Sequence, residues 1–303
     1  MHTPGITIQL FKNLRVLPLL GLVLLMATGC EDEQIPWETE DAPSQLVVEG
    51  LLTNEFKKHR IILSRTADYF SNEKTPRVSG ARVSVSTGRD TIPFTEHDDQ
   101  PGVYVSPKTA GQVGQTYTLD IHLNQPLNQK THYQASETMI RGLVLDTLEA
   151  FIYENPLYVE ESPMDSLLLY LTLFGPEPKE IDNYYAVRLF RNGQAVHDTI
   201  DEVEIYSDTE ELEGDYVNNL FFFSDFLPGD TLDIEVSTVS KNFRRYMNGL
   251  QNIVDQSGNP FDLSGPPANA TGNIEGGLGY FRVSFVTRAR TVVKDQRRKG
   301  APN

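Results

Sequence analysis

The sequence predicts a mainly β protein built from two β-sandwich-like domains, the second carrying one packed α-helix. Three observations carry that expectation. Short runs that alternate apolar and polar residues recur along the chain, with Gly- and Pro-containing turns between them. Only one segment, from Ser240 to Asp255, repeats its apolar residues at helical spacing (Phe243, Met247, Leu250, Val254). Hydrophobic residues make up 39% of the 303 residues, with 13 Tyr and 15 Phe, enough to bury real cores. That length is a prior of about two domains.

In the first domain, residues 45–140, strands are expected at Leu46–Gly50, Arg60–Ser64, Ala81–Ser86, Gly102–Val105 and Tyr117–Leu123. No helical pattern precedes residue 140. The order Gly80-Ala81-x-Val83-x-Val85, Gly102-x-Tyr104, Gly114-x-x-Tyr117-x-Leu119-x-Ile121 resembles the small transthyretin type of sandwich, and such alternation recurs across immunoglobulin-like folds. Known members of that type present ligands or dock partners more often than they catalyse. In the second domain, residues 141–290, strands are expected at Leu145–Tyr153, Ser166–Phe174, Tyr184–Phe190, Val217–Phe223, Thr231–Ser237 and a closing Tyr280–Thr287. Arg191-Asn192-Gly193 is a hairpin signal. Ser240 is placed to cap the helix near 240–255, which Ser257-Gly258 follows.

The first 29 residues read as a secretory signal. Lys12 and Arg15 precede an apolar run from Val16 to Met26, too short to span a bilayer, and Ala27-Thr28-Gly29-Cys30 follows. This resembles a bacterial lipobox with Ala27 where Leu is usual, and implies that Cys30 is acylated and becomes the mature N-terminus. Such acyl chains contribute about 0.8 kcal/mol per buried methylene. Glu31-Asp32-Glu33 resembles the triplet that exports lipoproteins of the Bacteroidetes type to the outer face of the outer membrane. Residues 30–44, acidic and holding Pro36 and Pro43, read as a tether.

Composition excludes several function classes. The net charge of −16 argues against nucleic acid, and a single Cys excludes a disulfide framework or a multi-cysteine metal site. His59, His97, His122, His132 and His197 show neither His-x-x-x-His nor His-Glu-x-x-His spacing, so no metal is expected, and His122 reads as a polar-face imidazole in an alternating strand. Gly-x-Ser-x-Gly is absent. Gly276-Gly277 and Gly279 precede a strand rather than a helix, which suits a tight turn and not a phosphate loop. No catalytic residues and no cofactor are expected.

The densest charge runs from Asp198 to Asp215 without Lys or Arg, and includes Asp208, Glu210, Glu211, Glu213 and Asp215. It reads as a calcium site, an acidic partner-binding face, or a solvated, self-repelling loop. Without Asp-x-Asp-x-Asp-Gly spacing the loop is favoured. Residues 291–303, with Lys294, Arg297, Arg298 and Lys299, read as a basic tail, disordered beyond about Asp295. Tyr153, Tyr158, Tyr184 and Tyr185 are candidates for a stacking surface, although core Tyr is commoner.

Taken together, the lipobox, Leu46-Val47-Val48-Glu49-Gly50, the motifs of the first domain, the helix, Pro260-Phe261, Pro266-Pro267 and Gly272-Asn273-Ile274-x-Gly276-Gly277-Leu278-Gly279-x-Phe281 resemble the Bacteroidetes lipoproteins grouped as domain of unknown function 4249. The resemblance covers nearly the whole mature chain. It implies a surface-exposed outer-membrane lipoprotein, non-catalytic, acting as an accessory that captures small-molecule or peptide cargo for a TonB-dependent receptor barrel. The alternatives are a structural adhesin or envelope-assembly lipoprotein and, third, a surface hydrolase.

Overall fold

The computed structural model describes residues 43–67, 75–154, 167–176, 184–196, 204–207, 220–223, 226–257 and 270–296. The first half contributes β1 (Leu46–Thr53), β2 (Arg60–Arg65), β3 (Arg82–Ser86), β4 (Thr91–His97), β5 (Gln100–Val105), β6 (Thr116–Leu127) and β7 (Lys130–Thr138). The second contributes β8 (Thr147–Glu154), β9 (Leu167–Phe174), β10 (Tyr184–Arg191), β11 (Gln194–Ala195), β12 (Glu204–Ser207), β13 (Leu220–Phe223), β14 (Thr231–Val239) and α1 (Lys241–Ser257). The chain then returns through β15 (Leu278–Ser284), β16 (Val286–Val292) and β17 (Lys294–Asp295). The protein is mainly β, with one helix among the described residues.

The first sheet runs β15-β1-β2-β5-β4-β3-β6-β7. Alternation decides its faces. In β6, Tyr117, Leu119, Ile121 and Leu123 are buried while Thr118, Asp120 and His122 point the other way. β4 is the corner strand, pairing with β3 through Phe94 and with β5 through Thr95, and it carries a bulge at Glu96/His97. The sheet rolls until its edge strands β7 and β15 touch. There the Glu275 N–H donates to the Gln134 carbonyl at 2.8 Å, and Lys130 Nζ donates to the Glu275 carbonyl at 2.6 Å. The enclosed core holds Leu46, Leu63, Val85, Tyr104, Leu119, Tyr133 and Phe281.

In the second half, two sheets face one another. One orders β11-β10-β14-β16, with β12 also on β10, and the other β13-β9-β8-β17. Between them lie Ala150, Ile152, Leu169 and Leu171 from one sheet and Tyr185, Leu189, Leu232 and Ile234 from the other. Asn192 and Gly193, at φ 51° and 83°, form the β10–β11 turn that their dipeptide predicts. Ser240 caps α1, its hydroxyl accepting the Phe243 N–H at 3.1 Å.

The C-terminal end supplies strands to both halves. The expected closing strand Tyr280–Thr287 is in fact two. β15 pairs parallel with β1 in the first sheet, and β16 pairs with β14 in the second, with the break at Phe285. Asn54 fixes that break from the first half. Its side chain accepts the Val286 N–H at 2.7 Å and donates to the Val286 carbonyl at 3.2 Å. The Phe285 carbonyl accepts the Thr238 N–H at 2.8 Å. Residues from Pro43 onward accordingly form one unit.

Strand structure runs into the expected basic tail as far as Asp295. Val293 is buried in the second core, and Lys294-Asp295 pair with Phe151-Ile152 of β8. Lys294, the described cation of this segment, has a partner in Glu149 Oε1 at 3.4 Å, and just before it Arg290 Nε meets Asp233 Oδ1 and Arg288 Nε meets Glu55 Oε1 at 2.9 Å. Residues 297–303 lie outside the described residues. No helix among the described residues is long and apolar enough to cross a membrane.

Candidate functional site

A cleft of about 390 Å³ opens where the outer face of the first sheet meets β10, β14 and α1. Its position follows from alternation. In β1 and β15, Val48, Leu52, Phe281 and Val283 turn into the first core, so Glu49, Leu51, Tyr280 and Arg282 turn outward. On α1, Phe243, Tyr246, Met247 and Leu250 share one stripe, which packs on Tyr184, Ala186, Val239 and Tyr280. The volume lies within the range of small-molecule sites.

Aromatic rings form one wall. Phe243 meets Tyr280 edge-on with centroids 5.1 Å apart, and Tyr246 lies 5.3 Å from Tyr280. The Arg282 guanidinium stacks over Phe243 at 4.8 Å. Among the described residues the Arg282 side chain makes no hydrogen bond or ion pair. Glu235, the acid that acts on it, is itself held by Arg288 and by Arg188 at 3.8 Å. Burial pulls the Arg282 pKa down to about 10, so it stays cationic at neutral pH. Arg60 and Arg188 line the same cleft, with Glu49 as its acid.

Beneath the Tyr280 end lies a polar network. The Tyr280 hydroxyl donates to Glu137 Oε2 at 2.8 Å and lies 3.2 Å from Ser240 Oγ. Burial pushes the Glu137 carboxyl above its ordinary value, against hydrogen bonds from Tyr280, Ser240 and Asn273. Gly279 makes the close approach of β15 possible. It stands at φ +90°, and a Cβ there would lie 2.1 Å from the Val48 carbonyl oxygen.

A second constellation sits on the outer face of β6 and β7. Asp120 pairs across the hairpin with Gln134, and His122 with His132. Both imidazoles point Nε2 at Asp120, at 2.7 Å to Oδ1 from His122 and 2.8 Å to Oδ2 from His132. Gln134 Nε2 also donates to Oδ2 at 2.8 Å. The rings stack at 4.3 Å, tilted by 10°. Burial raises the Asp120 carboxyl, but hydrogen bonds from Gln134 and His132 and the two imidazoles leave it below its ordinary range.

The sequence reading missed this cluster, because helical spacings do not find ligands shared by two strands. The available signal was Asp120-x-His122 on one strand face and the Asn128-Gln129 turn, both at positive φ, which brings His132 opposite. His59, in contrast, is a core histidine. It is 2% exposed, and its Nε2 lies 3.0 Å from the Thr109 carbonyl. The proposed stacking surface of tyrosines is corrected as well. Tyr153, Tyr184 and Tyr185 are all buried: Tyr184 and Tyr185 pack into cores on the two faces of β10, and Tyr153 meets Tyr170 edge-on with centroids 5.6 Å apart. Tyr158, Cys30, Glu31, Asp32, Glu33, Asp208, Glu210, Glu211, Glu213 and Asp215 lie outside the described residues.

Comparison with known proteins gives a family and little beyond it. No curated protein matches. Among solved structures, one from a study of host cell surface retention of a 1.5-MDa bacterial ice-binding adhesin matches over 84% of this chain and 67% of that one, at 10% identity and a TM-score of 0.19. Overlap that slight carries no argument. The model of domain of unknown function DUF4249 matches residues 32–290, and the chain belongs to that family.

Proposed function

We propose that this is a lipid-anchored lipoprotein on the outer face of the outer membrane, acting as a non-catalytic, cargo-capturing partner of a TonB-dependent transporter. Cys30, with its preceding signal and the Glu31-Asp32-Glu33 triplet, supports the anchor and its orientation. One observation carries the capture role: a cleft with an aromatic wall in which Arg282 is stacked and, among the described residues, unpaired. An apolar or aromatic cargo bearing a carboxylate or phosphate suits that lining, since a guanidinium grips such groups through two parallel hydrogen bonds.

The test is affinity purification of the tagged lipoprotein from detergent-solubilised outer membrane of its own cell, followed by mass spectrometry. Co-purification of a receptor barrel is the expected result. Repeated recovery without any barrel overturns the partnership. Cys30→Ala should also release the protein from the membrane fraction, and continued sedimentation with membranes would remove the anchor from the proposal.

A further inference from the structure

We propose that Asp120, His122 and His132 form a binding site for one divalent transition-metal ion of the zinc, copper(II) or nickel class. This goes beyond cargo capture, and it rests on a different face of the molecule. The ligand atoms of the three residues all lie within 4.8 Å of one another. Their side chains stand on one face because the hairpin register sets His122 against His132 and leaves Asp120 two residues back on the same side. The core on the other face, from Leu119, Ile121, Tyr133 and Ala135, fixes that alternation.

The donor set selects the metal. Two imidazole nitrogens with one carboxylate suit zinc, copper(II) and nickel. Calcium and magnesium prefer an all-oxygen shell. Without an ion, each Nε2 can donate its proton to one oxygen of Asp120. An ion takes the place of those protons: each ring carries its proton on Nδ1 instead, and both Nε2 lone pairs and a carboxylate oxygen turn to the metal. Gln134 remains hydrogen-bonded to the carboxylate and holds it in place, the role that outer partners play at metal sites. His122 and His132 are 39% and 46% exposed, so the remaining coordination position faces solvent. That arrangement fits exchangeable binding better than a closed structural centre.

The test is calorimetric titration of the full chain in detergent, without a polyhistidine tag, with Zn²⁺ at neutral pH. One ion per chain is expected. His132→Ala and His122→Ala should each weaken binding at least about tenfold, the lower end of what loss of an outer partner alone produces. His97→Ala, an exposed histidine elsewhere on the sheet, should change nothing. Circular dichroism of each variant checks the fold, which changes at these half-buried and exposed positions should leave intact. Electron paramagnetic resonance of the Cu²⁺-loaded protein should show coupling to two imidazole nitrogens, falling to one in each single variant. Absence of saturable zinc binding overturns the proposal. So does unchanged affinity in the His122→Ala/His132→Ala double variant, which would assign the zinc to acidic surface elsewhere.

Discussion

The two halves solve the same burial problem in different ways. The first is a single sheet rolled on itself. Away from the junction its strands bury one face and leave the other to water, as in β3, where Val83 and Val85 are inside and Arg82, Ser84 and Ser86 are not. The second is a pair of facing sheets, one of which is covered again on its outer side by α1. Its β10 and β14 are therefore buried on both faces, with Tyr184 and Ala186 under the helix and Tyr185 and Val187 in the sandwich. One-sided burial leaves a polar face on which chemistry can be displayed, and Asp120, His122 and His132 stand on such a face. Two-sided burial creates a junction instead, and the cleft lies along it.

The strongest way to break the comparison is to damage the strand through which the chain passes from the second half back into the first. Phe281 is fully buried in the first core, on β15. Phe281→Ala should cost about 3–5 kcal/mol, measured by urea unfolding. If the halves are one cooperative unit, hydrogen exchange in β9 and β14 should accelerate together with β1. Loss of protection confined to β1, β2 and β15 would show that the halves unfold separately.

A smaller effect is expected at the joint. Asn54→Ala removes two hydrogen bonds to Val286 and leaves that peptide unit without them, which should cost about 1–3 kcal/mol. The change should raise exchange at Val286 and Thr238 before it affects β6 and β7. A stability change indistinguishable from zero would mean that the joint is held by strand pairing alone.

The smallest effect is one of pH. Burial raises the Glu137 carboxyl above its ordinary value near 4.5. The folded protein therefore holds that proton more tightly than the unfolded chain does. The resulting stability is present below about pH 4.5 and fades as pH rises through the folded-state value. Glu137→Gln keeps an acceptor for the Tyr280 hydroxyl and removes the ionisation. Its urea midpoint should therefore gain on that of the original protein as pH increases from 4 to 8. A gain in the opposite direction would show that Glu137 is stabilised as the anion.

What could be read beforehand follows the same division. β3 and β6 were legible because their alternation is clean, and α1 because Phe243, Met247 and Leu250 keep one stripe and Ser240 caps it. β4 was not, since Pro93 argues against a strand and the run buries only Phe94. β7 escaped for a related reason: Lys130–Thr138 turns only Tyr133 and Ala135 inward. The closing segment read as one strand because both of its halves are apolar, and nothing local marks Phe285 as the place where the chain changes sheet. The cleft was illegible in principle. It depends on which strands become neighbours across the molecule, and the sequence around Arg282 carries no sign that Phe243 will lie over it.

The parallel pairing of β15 with β1 has a consequence for the order of events in folding. β1 is among the first strands made, yet one of its edges has no partner until nearly the last residues of the domain are available. Contacts that span most of a chain form slowly, and an open strand edge invites pairing with other chains in the meantime. The N-terminal half, first to be synthesised, thus stays unfinished until nearly the whole domain has been made. A chain truncated anywhere before Leu278 would leave β1 unsealed and the second sandwich without β16 and β17.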